Sequence, residues 1–374
     1  MREFKIRIFQ PIVPHYRVAL FEGIAKRYPA KVEIWAGNKA YGGKNSYQVA
    51  GAVCDFSHEF KKIGPFVWQL GLSLRGLRRG DVVVVCGDIH QLSTIFIAIR
   101  ARMKRIRVVW WGHHKTAGAK RWRVAMRIQI MKWVADTVLF YTKEGVQWYA
   151  SLGNDISHVY ATENAIELDP MRNATTKWNE ERLRQFAEEK GVVGKKLFLF
   201  CSRLLPKVKL ELAIRALTGL ERDCLLVVIG DGIMREKYER LACELGVSSK
   251  IRWEGILLDQ DQLAPWFLLS KAFVYPGAIG LSIFHSFSYG LPVITHGNKN
   301  NQMPEFAAMI EGKTGLLFKE GDWKCLQRAM GVILADDKNR TRMSTFCKEY
   351  VFANFTMEKM VENFCRAIQD GERQ

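Results

Sequence analysis

The chain has 374 residues, 48% of them hydrophobic and 25% charged, with eight cysteines and a net charge of +18. That length exceeds what one hydrophobic core usually supports, so two domains are expected, and the composition is that of an ordinary globular protein rather than a disordered one. The cysteines show no CxxC or other metal-ligand spacing, which argues against a structural metal and for reduced thiols in a cytoplasmic setting.

The N-terminal MREFKIRIFQP carries charges among its apolar residues and reads as a first strand, not a signal peptide. Residues 16–28 (YRVALFEGIAKRY) repeat apolar positions every three or four, as a helix does, and 31–37 (KVEIWAG) reads as the next strand. A helix over 68–79, a buried strand over 81–88 (DVVVVCGD), a helix over 91–105 and a strand over 107–112 (RVVWWG) follow. Between Asp88 and Asp136 there are eleven basic residues and no acidic one. Within that stretch, 119–135 (AKRWRVAMRIQIMKWVA) has helical spacing. Trp122, Met126, Ile130 and Trp133 fall on one side, with Arg121, Arg123, Arg127 and Lys132 mostly elsewhere. A basic amphipathic helix bordered by Trp suits an anionic membrane surface; a plain solvated face competes with that reading, and no nucleic-acid motif accompanies it. A strand and a helix over 138–153 close the first half.

Residues 167–194 are polar and strongly charged, contain one helical piece, and read as a linker and the entry into a second domain. Strand and helix signals then alternate again: KLFLFCSRL, ELAIRALTGL, CLLVVIGDG, REKYERLACELGV, KIRWEGI and DQDQLAPWFLLS. Residues 272–297 carry no formal charge, yet their prolines and glycines exclude a membrane span. They read as strand AFVY, loop PGAIGLS, short helix IFHSFSY and strand PVIT. A helix over 323–336 follows, and 349–369 reads as one final helix crossing back onto the first domain. The expected fold is α/β, with two doubly wound Rossmann-like domains facing a central cleft. Boundaries are expected at 1–170, 171–350 and 351–374.

The loop 276–282 is the most informative local pattern. A glycine-rich loop opening a helix leaves backbone N–H groups free at a positive helix end, which is an anion site. Gly280, Leu281 and Ser282 supply those amides. Gly230 and Gly232, ending LLVVIG, permit close backbone approach at a nucleotide crevice, although a lone GDG is not the GxGxxG fingerprint.

Four segments, in this order, resemble the large retaining family 4 of the GT-B glycosyltransferases: CSRLLPKVKLELAIRAL, VVIGDGIMREKYERLACELGVSSKIRWEGI, FVYPGAIGLSIFHSFSYGLPVIT and MPEFAAMIEGKTGLLFKEGD. The first half matches loosely, through PHYRVALFEGIAKR, WWGHH and Asn164. The resemblance implies sugar transfer from a UDP- or GDP-sugar to a glycan or lipid-linked acceptor, with no cofactor or metal, at the inner face of the cell membrane. It implies that Arg203 and Lys209 stabilise the leaving diphosphate, a task for which paired cations are suited; Lys207 is a neighbour able to replace Lys209. Ile256 is implied as a backbone contact to the base. The family's box usually carries two glutamates eight positions apart, and here those places hold Gly277 and His285. His285 remains a candidate for ribose contact through a neutral ring nitrogen. In the first half, His113 is the inward, catalytic candidate of the pair His113 and His114, and His114 is a candidate on the acceptor side. Tyr16 and Arg17 are candidates where phosphate and acceptor meet, and Asp88 is a weaker one. Two alternatives stand beside this reading: a catalytically silent relative serving polysaccharide assembly, and a sugar-nucleotide epimerase, which the absence of an acid cluster disfavours.

Overall fold

The structure, a computed structural model, describes residues 4–39, 45–114 and 121–370. Ala119 and Lys120, at the start of the expected basic helix, lie outside the described residues. The chain divides into two compact units, Met1–Glu167 with Met357–Gln374, and Leu168–Thr356.

In the first unit β1 (Ile6–Phe9), α1 (Val18–Arg27), β2 (Val32–Trp35) and β3 (Val53–Asp55) are followed by β4 (Phe60–Ile63) and β5 (Phe66–Gln69). Then come β6 (Val82–Cys86), α2 (Leu92–Met103), β7 (Arg107–Gly112), α3 (Arg121–Val134), β8 (Thr137–Phe140), α4 (Lys143–Ser151) and β9 (Val159–Ala161). Seven strands form a parallel sheet in the order β3-β2-β1-β6-β7-β8-β9. Val82 to Val85 are fully buried, as expected for a strand covered on both faces.

The helix expected over 68–79 is absent. Those residues begin as β5, which pairs antiparallel with β4, and continue as a loop. Their apolar spacing is helical, but Gly71 and Gly76 adopt φ of +74° and +82°, left-handed values that no helix accommodates. The short strands β3, β4 and β9 had no clear sequence signal.

The second unit opens with α5 (Asp169–Thr176) and α6 (Glu180–Glu189), so the polar stretch read as a linker is largely helical. Asn179 caps α6 by accepting from the Arg182 amide. The chain continues through β10 (Lys196–Cys201), α7 (Leu210–Ala216), β11 (Cys224–Ile229), α8 (Arg235–Glu244), β12 (Ile251–Gly255), α9 (Gln260–Leu269) and β13 (Ser270–Tyr275). It ends with α10 (Ser282–Ser288), β14 (Val293–His296), β15 (Gly315–Phe318), α11 (Trp323–Ala335) and α12 (Asp337–Asn354). Its six parallel strands run β12-β11-β10-β13-β14-β15. The uncharged run is thus β13, α10 and β14, and among the described residues no helix is long and apolar enough to cross a membrane.

The expected final helix is two helices. Helix α12 stops at Asn354, and α13 (Met357–Gln369) returns to the first unit, packing on α1 and contributing Met360, Phe364 and Ile368 to its core. The first boundary falls at Glu167 rather than 170, because α5 packs on α9 of the second unit. The second falls at Met357 rather than 351, because α12 packs on α10 to its end.

Candidate functional site

In a doubly wound sheet, ligands bind beyond the carboxyl ends of the strands where the strand order reverses. In the second unit that point lies between β10 and β13, and the loops 202–209 and 276–281 meet there. Three glycines let the first loop sit against the sheet edge. A β-carbon on Gly230 would stand 2.0 Å from the Ser202 carbonyl oxygen, and one on Gly232 would stand 2.5 Å from that of Leu204. One on Gly277 would stand 2.3 Å from the Lys207 carbonyl oxygen and 2.9 Å from Val208 Cα. The close approach expected of Gly230 and Gly232 is therefore made by the chain's own backbone. The same contact explains why no glutamate stands at 277: the 207–208 backbone occupies the room for its side chain.

Lys209 follows this tightly held turn in the left-handed conformation, φ +52°. Its Nζ donates to Glu320 Oε1 at 3.0 Å. Glu320 also accepts from Asn298 Nδ2 at 2.6 Å and Asn301 Nδ2 at 2.9 Å. These bonds, that from Asn301 foremost, hold the Glu320 carboxyl down at about 2 despite partial burial. Arg203 is exposed, and among the described residues no ion pair engages it.

The amides of Gly280, Leu281 and Ser282 donate to no acceptor among the described residues, while the Ile279 amide is taken by Gln302 Oε1 at 2.8 Å. Gln302 in turn donates to the His296 carbonyl at 2.8 Å, tying the loop to the end of β14. A carboxylate that sequence reasoning left unassigned lies beside these amides. Glu305 is buried, and its Oε2 is 3.9 Å from the place a Gly280 β-carbon would take. Its only sequence signal was its place in the MPEFAAMIEGKTG segment.

His285 is set into the unit's interior. Its ring lies 4.6 Å from that of Phe267, and Nε2 is 2.9 Å from Gln260 Oε1, which also accepts from the Tyr289 hydroxyl at 3.0 Å. Burial lowers its pKa to about 4, so the ring is neutral and Nε2 carries the proton toward Gln260. Ile256 is exposed, as are Ile233 and Leu258, which follow the ends of the neighbouring strands β11 and β12 in sequence.

In the first unit the order reverses between β1 and β6. Arg17, just before α1, is 8% exposed, and its Cζ lies 4.8 Å from the Trp111 ring centre and 5.2 Å from that of Tyr141. Its Nη1 donates to Asn164 Oδ1 at 3.2 Å. Tyr16 is more exposed, 5.6 Å from Arg17 Cζ. His113 follows β7 with its ring 4.6 Å from Tyr141. Burial, reinforced by Arg127 and Arg17, lowers its pKa to about 4. His114 turns the other way, buried against Phe140 and Trp148, with Gly145 packed on its ring. Asp88 is exposed and accepts from the His90 amide and ring. Burial pushes the thiols of Cys86 and Cys201, which end β6 and β10, up to about 12, so neither is a nucleophile at neutral pH.

Helix α3 departs from the expected division of faces. Arg127, counted among its outer charges, is buried and donates to the carbonyls of Gly87 and His113. Ile128, Met131 and Val134 complete the buried side, while Trp122, Met126 and Trp133 are exposed.

Residues 181–350 match the family model "Glycosyl transferases group 1". The chain is 29% identical over 146 residues to the lipopolysaccharide core biosynthesis glycosyltransferase LpsE of Rhizobium meliloti, covering 38% of this chain and 41% of that one. It is 26% identical over 182 residues to a GDP-mannose-dependent α-(1-6)-phosphatidylinositol monomannoside mannosyltransferase of Mycolicibacterium smegmatis, covering 45% and 46%. The chain thus spans less than half the length of these curated relatives. The crystal structure of Anabaena HepE in complex with UDP superimposes with a TM-score of 0.72 at 12% identity, covering 98% of this chain and 100% of that one.

Two measurements check the site's construction. Gly277→Ala lowers stability by about 2 kcal/mol or more, read from the denaturant midpoint. Because Gly277 is not among the residues at positive φ, the loss comes from the clash alone; an unchanged midpoint refutes that packing. The Glu320 carboxyl lies below its ordinary 4.5, so its contribution is present above that pH and lost as pH falls through about 2. The stability gap between wild type and Glu320→Gln therefore closes over that window, and a gap independent of pH contradicts the network. Residues 181–350 belong to glycosyl transferases group 1, within a chain that has the GT-B fold of two Rossmann-like units.

Proposed function

We propose that this protein is a glycosyltransferase that moves a sugar from a nucleotide-sugar to a glycan or lipid-linked acceptor, with retention and without a metal. The observation that carries the reading is the unused amides of Gly280, Leu281 and Ser282 at the strand-order reversal, on the sheet edge that also holds Arg203 and Lys209, all inside the family-matched segment. The diphosphate lies against those amides, and the nucleobase lies beside the exposed Ile256 that follows β12.

The acceptor hydroxyl attacks the anomeric carbon as its bond to the diphosphate oxygen breaks. The hydroxyl proton passes to a diphosphate oxygen, leaving a glycoside and a nucleoside diphosphate. Charge grows on the leaving group in that step, and Arg203 and Lys209 stabilise it most where it is largest. His113, neutral at physiological pH, acts as a hydrogen-bonding partner for sugar or acceptor hydroxyls, and Arg17 with Tyr16 receives the acceptor's polar end. Relatives named for lipopolysaccharide core and phosphatidylinositol mannoside synthesis support a cell-envelope acceptor. The UDP in the Anabaena structure supports a nucleoside-diphosphate-sugar donor.

The outward face of α3, with Trp122, Met126 and Trp133 among Arg123 and Lys132, supports peripheral docking on an anionic membrane at the cytoplasmic side. A second reading, a binding component without turnover, is favoured by two observations: the backbone fills the side-chain room at Gly277, and His285 is bonded to Gln260.

Nucleotide release from a panel of UDP- and GDP-sugars separates the two readings. Turnover that falls at least about tenfold in Arg203→Ala supports the transferase; donor binding without turnover supports the second reading, and binding of no donor sinks both. For the membrane face, flotation with anionic vesicles weakens as salt rises and falls in Trp122→Ala/Trp133→Ala. Indifference to salt and to both tryptophans overturns it.

A further inference from the structure

A second cationic site lies at the opposite edge of the first unit's sheet. An open pocket of about 690 Å³ is lined by Arg79, Arg102, Arg105, Arg107, Asp136 and His158. Each lies near the amino end of a strand: Arg79 before β6, Arg102 and Arg105 before β7 and Arg107 at its start, Asp136 before β8, His158 before β9. His113 follows the other end of β7, roughly 20 Å away along a six-residue strand. Within this unit the pocket is therefore separate from the acceptor-side groups at the carboxyl ends of the strands.

Four guanidinium groups face one lining carboxylate. Both oxygens of Asp136 are taken, Oδ1 by Arg102 Nη1 at 3.0 Å and Oδ2 by the Val108 amide at 2.8 Å. The pocket also lies at the carboxyl end of α2, whose partial negative charge suits the arginines themselves and not a bound anion, so any anion there is held by the guanidinium groups alone. The backbone at Arg105 adds an independent sign. Helix α2 closes with Ile106 N–H on the Ala101 carbonyl at 2.9 Å, and Arg105 sits at the left-handed position of that closure, φ +56°. Glycine is the usual residue there because a β-carbon is strained. An arginine at that place trades local stability for a guanidinium aimed at the pocket rim.

We propose that this pocket binds the phosphate of an anionic phospholipid headgroup. Planar guanidinium forks match phosphate oxygens in geometry and charge. Beside them, Met103 is 79% exposed and Trp133 is 61% exposed, at the carboxyl ends of α2 and α3, which pack together. Apolar side chains flanking a phosphate site suit a headgroup at a bilayer surface better than a soluble phosphate. The inference rests on the membrane-face reading above and adds a discrete site to it.

Arg105→Gly is the decisive variant, because it relieves the strained backbone and leaves the fold as stable as wild type or more so. Binding is measured by flotation with vesicles of phosphatidylcholine containing phosphatidylglycerol, at fixed ionic strength. Arg105→Gly and Arg79→Ala are each expected to weaken binding about tenfold or more, against about fivefold or less for Lys132→Gln, the ordinary effect of one surface charge. Equal effects at Arg105 and Lys132 overturn the pocket while leaving the α3 face standing. Wild type that does not float overturns the membrane reading and the pocket together, without touching the transferase assay. Inorganic phosphate that raises the melting temperature of wild type but not of Arg105→Gly overturns the lipid in favour of a soluble anion.

Discussion

The second unit depends on one constraint, the contact between the backbone of residues 202–208 and three glycines on neighbouring loops. Carbonyl oxygens of Ser202, Leu204 and Lys207 occupy the places where β-carbons of Gly230, Gly232 and Gly277 would stand. This packing of backbone on backbone fixes the turn that carries Arg203 and Lys209, because main chain has none of the rotamer freedom through which side chains absorb error. It also sets what the site lacks. Where the resemblance implies a carboxylate side chain at position 277, this chain has a glycine packed against its own main chain. Carboxylates are instead found at Glu305, beside the Gly280 amides, and at Glu320, on Lys209.

The first unit solves a different problem, that of keeping cations in a mostly apolar interior. Arg17 rests among Trp111, Tyr141 and Tyr16 with Asn164 as its hydrogen-bond partner, and Arg127 spends its donors on two carbonyls. Aromatic faces and peptide dipoles stabilise positive charge without a counter-ion of full charge. His113, near both arginines and largely buried, is held neutral by the same surroundings. The result is a site whose buried charge is positive and in which His113 is neutral near neutral pH.

Much of this was legible in the sequence, and the failures share a cause. Buried strands such as DVVVVCGD and KLFLFCSRL and the loop at 276–282 announce themselves through local composition and punctuation. The helix expected over 68–79 failed because periodicity does not reveal that Gly71 and Gly76 take left-handed angles. His114 and Arg127 differ from expectation in a related way. The first is expected on the acceptor side and packs on Trp148; the second is expected off the apolar side of its helix and lies inside. Which side of a helix or strand end meets the core is decided by neighbours far along the chain. The Glu320 network joins Lys209 to Asn298 and Asn301, about ninety residues on, and local spacing carries no record of such a meeting.

The return of α13 has a consequence for biosynthesis. Met360, Phe364 and Ile368 belong to the core that β1, α1 and β6 begin. A ribosome adding roughly 5–20 residues each second delivers the first unit's strands early and its last helix late. The second unit, contiguous in sequence, is complete before its predecessor is. For the interval in which residues 168–356 are made, the nascent first unit holds an apolar groove over α1 and β8 that nothing from its own segment fills. Premature termination near the 3′ end of the message therefore damages the half of the protein that was translated first.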